Sequence, residues 1–273
     1  GVTRRGSYAA YLDISHPEVE EFLDVRKPTG GDVNRKSVNL HHGVLVSDAF
    51  MELIENATKI PGFDDSWDLI DPHSNKVVKT VSAKTLWVKL IQNRVETGEP
   101  YIMFTNAVND ALPQYQKELG LKVNHSNLCS EITLATNNER TAVCCLSSVN
   151  LEEYDEWKND EHFIPDLIRM LDNVIEYFIN HAPPQLKKAA NSAKQERSLG
   201  LGAMGFHAYL QRHNIPFESA MAKSRNMQMF ARIKGEAQYA TQTLAVERGE
   251  APDAIGEGVR NVHLLAVAPN ASS

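Results

Sequence analysis

Asn127, Cys129 and Glu131 stand at strict two-residue spacing within Ser126-Asn-Leu-Cys-Ser-Glu-Ile132. Side chains alternate across an extended backbone, so the spacing predicts that an amide, a thiol and a carboxylate face one side while Leu128 and Ser130 turn away. A lone cysteine is commonly a small buried hydrophobe, and Cys129 alone would be read that way. Burying Glu131 beside it, however, would cost on the order of 2–7 kcal/mol without compensation, and more if it stayed charged. Two polar groups flanking a thiol suit a substrate pocket better than a packed core.

A second cysteine signal follows in Thr141-Ala-Val-Cys-Cys-Leu-Ser-Ser-Val-Asn-Leu151. Its β-branched and apolar residues predict a buried strand running into a helix start or turn. Cys144 and Cys145 would then point to opposite faces, and strand parity leaves open which of them could share a cavity with Cys129.

The run Ser-Asn-Leu-Cys-x-Glu-Ile, followed by Ala-Val-Cys-x-Leu-Ser-Ser-x-Asn-Leu, resembles the large, catalytic subunit of ribonucleotide reductase. Thr3-Arg-Arg-Gly-Ser-Tyr-Ala-Ala-Tyr-Leu-Asp-Ile-Ser-His-Pro17, Thr97-Gly-Glu-Pro-Tyr101, Arg197-Ser-Leu-Gly-Leu-Gly-Ala-Met-Gly205, Ile215-Pro-Phe-Glu-Ser219 and Ala266-Val-Ala-Pro-Asn-Ala-Ser-Ser273 resemble further signatures of that family, in family order. The resemblance covers essentially the whole chain. Segments 28–32 and 246–253 lean toward the class I, phage-encoded branch.

The resemblance implies reduction of ribonucleotides to 2′-deoxyribonucleotides, for DNA precursor synthesis, through a substrate radical. Cys129 would carry the thiyl radical that takes the 3′ hydrogen, and Glu131 would be general base on the 3′-hydroxyl, which requires a carboxylate within hydrogen-bond reach. Asn127 would orient the sugar hydroxyls by donating and accepting at once. Cys144 aligns with the downstream member of the redox-active cysteine pair, and Cys145 would be structural. The fold implied is part of a ten-stranded α/β barrel whose central finger loop carries the radical cysteine, with residues 1–273 forming a partial catalytic barrel domain.

No cysteine precedes Cys129, so the upstream partner of Cys144 is absent from this sequence. The chain reads as an internal segment without the regulatory and carboxyl-terminal parts, expected to be inactive and poorly soluble or partly folded alone. Binding features are expected at both ends. Arg4, Arg5 and Gly6 would lie between effector and substrate base, while Pro269, Asn270, Ala271, Ser272 and Ser273 would open a helix that holds the substrate's phosphates. Local sequence alone would make these a solvated loop and a plain strand-to-helix turn.

The partners implied are a ribonucleoside diphosphate, a small radical-generating subunit holding the metal, thioredoxin or glutaredoxin, ATP or dNTP effectors, and a second copy in a homodimer. No cofactor is expected in this chain. The nearest alternative is a cobalamin-dependent reductase sharing Asn-x-Cys-x-Glu; another is a catalytically silent nucleotide-binding fragment. Scattered histidines, without HExxH or cysteine-paired spacing, predict no metal site.

Gly200-Leu-Gly-Ala-Met-Gly205 satisfies the GxGxxG pattern and would suggest a nicotinamide-dependent dehydrogenase, with Glu218 at a suitable distance for a ribose. That mechanism needs a buried strand just before the first glycine, yet Lys194-Gln-Glu-Arg-Ser198 is mostly polar and charged. The glycines are expected instead to permit close packing where a helix over 203–212 leaves the scaffold.

A hydrophobic content of 42% in 273 residues suffices for one large core or two small ones. There is no apolar run of membrane-spanning length and no secretory leader, so a soluble, cytoplasmic protein is expected, in the host cytoplasm if phage-encoded. Three cysteines argue against a secreted disulfide framework. A net charge of −7 disfavours nonspecific nucleic-acid binding.

The elements that must position these residues alternate in an α/β pattern. Ser15-His-Pro-Glu18 has the form of a capping box for a helix ending before Pro28. A strand over 36–46 and a helix carrying Phe50, Leu53, Ile54 and Ala57 should follow. Further helices are expected at 82–97, 165–180 and 219–247, where apolar residues repeat with the helical period. Residues 263–268 read as a buried strand.

Overall fold

The computed structural model describes Thr3 and residues 6–270, which divide into two compact units. The first unit comprises Gly1–Ala111 with Val123–Thr133, and the second comprises Leu112–Lys122 with Leu134–Ser273.

The first unit is built on a parallel sheet of β1 (Ala9–Asp13), β2 (His41–Val46) and β5 (Tyr101–Phe104), in the order β1-β2-β5. Its register pairs Ala9 with His41 and Gly43 with Tyr101. One turn of helix, α1 (Val19–Phe22), and a longer one, α2 (Asp48–Lys59), cover it, followed by the antiparallel hairpin β3 (Ser66–Ile70) and β4 (Val77–Ser82). Helix α3 (Ala83–Thr97) precedes β5, and the short α4 (Thr105–Asp110) follows it. Val44, Val46, Phe50, Leu69, Leu86 and Leu90 form the core, with Trp87 and Ile91 packed against it. The Ser82 hydroxyl accepts the Thr85 N–H at 3.1 Å, and Gly98 ends α3 at φ 78°. Such a start and stop follow from a capping oxygen and a residue that tolerates the left-handed region.

The second unit begins with α5 (Gln114–Glu118) and continues with β6 (Leu146–Asn150) and the short α6 (Tyr154–Trp157). Then come α7 (Phe163–His181), α8 (Lys187–Glu196), β7 (Gly200–Met204), α9 (Phe206–Arg212) and the long α10 (Ala220–Arg248). Strands β6 and β7 pair in parallel, and α7 and α10 close over a core that includes Ile164, Ile168, Leu171, Ile175, Met229, Ile233 and Leu244. Met170 and Val174 of α7 are exposed, so its apolar face is narrower than the sequence pattern suggests.

Several expectations are corrected. Ser15 donates to the Asp13 carboxylate at 2.6 Å instead of capping α1, which therefore stays one turn long. The strand expected over 36–46 starts at His41, and the one expected over 141–151 starts at Leu146. Residues 263–268 do not make a full strand: Leu265 alone bridges Leu201, although Leu201 N–H reaches Leu264 O at 2.8 Å and Ala266 N–H reaches Leu201 O at 3.2 Å. Among the described residues the sheets have three, two and two strands, and none closes into a barrel.

Candidate functional site

The Cys129 segment is a closed turn, not an extended strand. Ser130 N–H donates to Asn127 O at 3.2 Å with Ser130 at φ 68°, and Asn127 N–H donates to Ile132 O at 3.2 Å. The predicted alternation of faces is therefore replaced by a tight reversal, because backbone hydrogen bonds within 127–132 satisfy groups that a lone strand would leave unpaired. Convergence survives by another route. The Asn127 amide nitrogen donates to Glu131 Oε2 at 2.8 Å across the base of the turn, and Cys129 sits exposed at its tip.

Asn127 organises this turn with both ends of its amide. Its Oδ1 accepts the Ile132 N–H at 3.1 Å while its nitrogen holds Glu131. An amide can do this because it carries acceptor and donor on one planar group. The turn is also tied to the sheet of its own unit: Tyr11 OH donates to Asn127 O at 3.3 Å, and the Tyr11 ring stacks on His125 at 5.7 Å. Gly43, opposite Tyr11 in the register, makes room for that ring, since a Cβ there would meet Tyr11 Cε1 at 2.4 Å.

A cavity of about 400 Å³ opens beside the turn, lined by Tyr11, Tyr101, Met103 and Phe104 and by Ser126, Ser130 and Thr133. Aromatic and aliphatic walls with a few convergent hydroxyls are the ordinary makeup of a small-molecule site. Desolvation and then the neighbouring Glu131 carboxylate push the Cys129 thiol above its ordinary value. A raised thiol keeps its hydrogen and is a poor thiolate nucleophile. Nearby, the Glu99 carboxylate binds His41 Nδ1 at 2.5 Å and the His42 N–H at 3.0 Å. Burial alone would raise Glu99, but these hydrogen bonds and Arg26 hold it below the usual carboxylate range.

In the second unit Cys144 is exposed and Cys145 is buried, with its Sγ 3.5 Å from Leu171 O. The two thus differ in exposure, as opposite facing would require. Desolvation, with a smaller contribution from Asp172, raises the Cys145 thiol. Of the expected phosphate segment, Asn270 donates to Ala203 O at 3.1 Å and Pro269 is exposed. Ala271, Ser272, Ser273, Arg4 and Arg5 lie outside the described residues, and Gly6 is exposed with open space where a Cβ would be.

The GxGxxG pattern is not a phosphate-binding turn. Gly200 and Gly202 lie within β7, where a Cβ on Gly202 would meet Ala266 O at 2.4 Å and one on Gly200 would meet Leu146 Cδ2 at 2.3 Å. They are packing glycines, as expected, but they admit the neighbouring strand and the 264–267 segment, and α9 starts only at Phe206. Among the described residues no group of three or more His, Cys, Asp or Glu side chains is placed to hold a metal ion, and no helix is long and apolar enough to cross a membrane.

Tyr11 and the cavity hydroxyls were not foreseen from the sequence. A signal existed in Ala9-Ala-Tyr-Leu-Asp13, where one large aromatic alternates with small residues on a strand beside a glycine-bearing neighbour.

Comparison with known proteins identifies the family. The family model for the ribonucleotide reductase barrel domain matches residues 1–257. A Frog virus 3 protein assigned as a ribonucleoside-diphosphate reductase large subunit is 53% identical over 276 residues, covering 100% of this chain and 47% of that protein. The large subunit of Invertebrate iridescent virus 3 is 45% identical over 320 residues, covering 100% of this chain and 51% of that protein. Among solved structures, the Actinobacillus ureae class Id ribonucleotide reductase alpha subunit is similar with a TM-score of 0.82 at 35% identity, covering 98% of this chain and 46% of that one. The chain thus spans about half the length of these relatives.

Proposed function

This chain belongs to the ribonucleotide reductase family, and from that premise we propose that it carries the catalytic centre of a ribonucleoside-diphosphate reductase, with Cys129, Glu131 and Asn127 as the reacting group, the base and the orienting amide. The observation that carries this reading is the 2.8 Å hydrogen bond between Asn127 and Glu131 across the turn that presents Cys129.

The chemistry follows from the groups at the turn. A thiol that keeps its hydrogen can lose it as an atom to an oxidising radical and, as a thiyl, take the 3′ hydrogen of a ribose. Glu131 accepts the proton of the 3′-hydroxyl while a thiol of the reducing cysteine pair protonates the 2′-hydroxyl, which departs as water, and Cys129 at the end returns its hydrogen to C3′. Asn127 holds the carboxylate and offers its amide to the same sugar. The two electrons that replace the C–O bond by C–H come from a cysteine pair that ends as a disulfide. Cys144, exposed where Cys145 is buried, supports assignment as one member. Its partner would come from a part of the polypeptide outside this sequence.

The finer architecture belongs to the same proposal. The parallel strands of the two units would be parts of a ten-stranded α/β barrel, the 127–132 turn the tip of its finger loop, and residues 1–273 a partial catalytic domain. Asn270, with Pro269 and Ala271–Ser273, would receive the substrate phosphates, and Arg4, Arg5 and Gly6 would contact the effector or the base. A separate small subunit would hold the metal that generates the radical, thioredoxin or glutaredoxin would restore the thiols, and two large subunits would pair in the cytoplasm under ATP or dNTP control.

The test is formation of 2′-deoxynucleotide from a ribonucleoside diphosphate by a full-length large subunit carrying this segment, with its radical-generating partner and a dithiol reductant. Wild type should yield product and Cys129→Ser none. Equal product from both would remove Cys129 from the chemistry.

A further inference from the structure

The last residue of α8, Glu196, is buried with 1% of its surface exposed. Its Oε1 is 3.5 Å from Ser192 Oγ, and among the described residues its Oε2 has no well-formed hydrogen bond. The amide nitrogen of Gln116, on α5, is likewise buried and without a well-formed bond, although it approaches the Glu196 carboxyl. Gln116 Oε1 in turn lies 3.2 Å from His263 Nε2. The backbone completes the cluster: Val262 N–H donates to Glu196 O at 3.0 Å, and Leu199 N–H donates to His263 O at 2.9 Å. The carboxyl thus sits where one helix end, a second helix and the chain entering the 263–270 segment meet, all within one unit.

We propose that Glu196 is a positioning residue which, in its neutral form and through Gln116 and His263, holds the chain that leads into the candidate phosphate segment.

The surroundings supply the reason. The Ser192 hydroxyl and the Gln116 amide both offer donors, and a neutral carboxyl can still accept through its carbonyl oxygen, but the contact with Ser192 is long and Oε2 has no well-formed bond. A carboxylate would be buried without adequate partners, which is costly. The charged groups that face it do not relieve this: Asp253 repels it, and Arg140 is committed to Asp253 through two contacts of 2.5 and 2.7 Å. Desolvation first, then Asp253, push Glu196 up to about 7, against the opposing pull of Arg140, Gln116 and Ser192. Desolvation pushes His263 down to about 4, so its Nε2 can donate to Gln116 as a neutral ring.

The two shifts act on the segment with opposite sign. Glu196 takes up a proton on closing, so between about 4.5 and 7 rising pH loosens the closed form. His263 gives up a proton on closing, so between about 4 and 6.5 rising pH tightens it. Over their shared window they nearly cancel, and removing either one should unmask the other.

The experiment is amide hydrogen exchange of residues 261–266 between pH 5.5 and 6.5, corrected for the intrinsic pH dependence of exchange, in a full-length polypeptide carrying this segment without nucleotide. Wild type should be nearly level. Glu196→Gln should gain protection about fivefold across that pH unit, and His263→Asn should lose about sevenfold. A Glu196→Gln profile identical to wild type overturns the proposal, as does a level His263→Asn profile; the second variant decides if the first does not fold.

What the segment binds rests on the reductase reading, so turnover is followed in parallel. Exchange profiles lacking a Glu196 contribution in an enzyme that makes deoxynucleotide would sink this proposal alone. Opposed profiles in a protein that makes none would sink the reductase reading alone.

Discussion

Asp172 and Glu196 are both carboxyl groups buried in the second unit, at 0% and 1% exposure, yet their surroundings treat them in opposite ways. Asp172 accepts from Arg197 at 3.0 Å, Arg248 at 2.9 Å, Arg260 at 3.3 Å and the Asn261 amide at 3.1 Å. Burial on its own would raise its carboxyl, but Arg197, Arg260 and the amide hold it below the ordinary value. Glu196 has the same burial without the arginines, and it rises. Partners, more than depth, therefore decide whether a buried acid is a charged hub or a neutral hydrogen-bonding group. The hub ties α7, the end of α8, the end of α10 and residues 260–261 together; the carboxyl of Glu196 reaches His263, two residues further on, only through Gln116.

The comparison would break most visibly at the hub. Asp172→Asn leaves three guanidinium groups around a neutral amide, and breaking a buried charge network of this kind costs about 3–5 kcal/mol. Urea unfolding at pH 7 should show that loss. An Asp172→Asn protein as stable as wild type would mean that the arginines are satisfied without the acid. In wild type the Asp172 contribution is present above its unfolded pKa and is lost as pH falls through the lower folded value.

Glu196→Gln sharpens the contrast from the other side. Its folded pKa lies above the unfolded one, so ionising the unfolded chain draws stability away as pH rises from about 4.5 to 7, and the full cost remains above 7. The amide does not titrate. The stability of Glu196→Gln relative to wild type should therefore rise by roughly 3 kcal/mol between pH 4.5 and 7.5. A difference that stays constant across that range would show that Glu196 titrates normally in the fold.

Periodic helices were the most legible part of this chain. For α3, α7 and α10 the predicted and observed spans differ by a few residues, and α2 carries the four residues expected of it, because one apolar face packed on a core leaves its mark every three or four positions. The hairpin β3–β4 went unforeseen although its signals are local: the Asp71 carboxylate accepts from the N–H groups of His73 and Ser74, and β-branched residues follow at 77–81. The buried position of Glu196 was also written in the helical period, at the end of the series Ala189, Ser192, Ala193 and Glu196. Its meaning was hidden, since Gln116 and His263 come from distant parts of the sequence.

At the candidate site the residue types were legible and the backbone was not. Asn127, Cys129 and Glu131 were identified from spacing that assumed an extended strand, while the structure closes them into a turn with Ser130 in the left-handed region. That reversal is fixed by the Asn127 side chain and by Tyr11, 116 positions away in sequence. The residues that the motif resemblance singled out do share one turn, with Asn127 bonded to Glu131, although local propensity did not give the shape of that turn.

The central claim is that Cys129 takes the 3′ hydrogen of a ribonucleotide held beside the Asn127–Glu131 pair. It is tested most directly by competing a 3′-deuterated ribonucleoside diphosphate against the unlabelled one, in a full-length subunit carrying this segment with its radical partner and reductant. Wild type should discriminate against deuterium in its product, and Cys129→Ser should give no product. Deoxynucleotide formed without discrimination, and formed equally by Cys129→Ser, would contradict it.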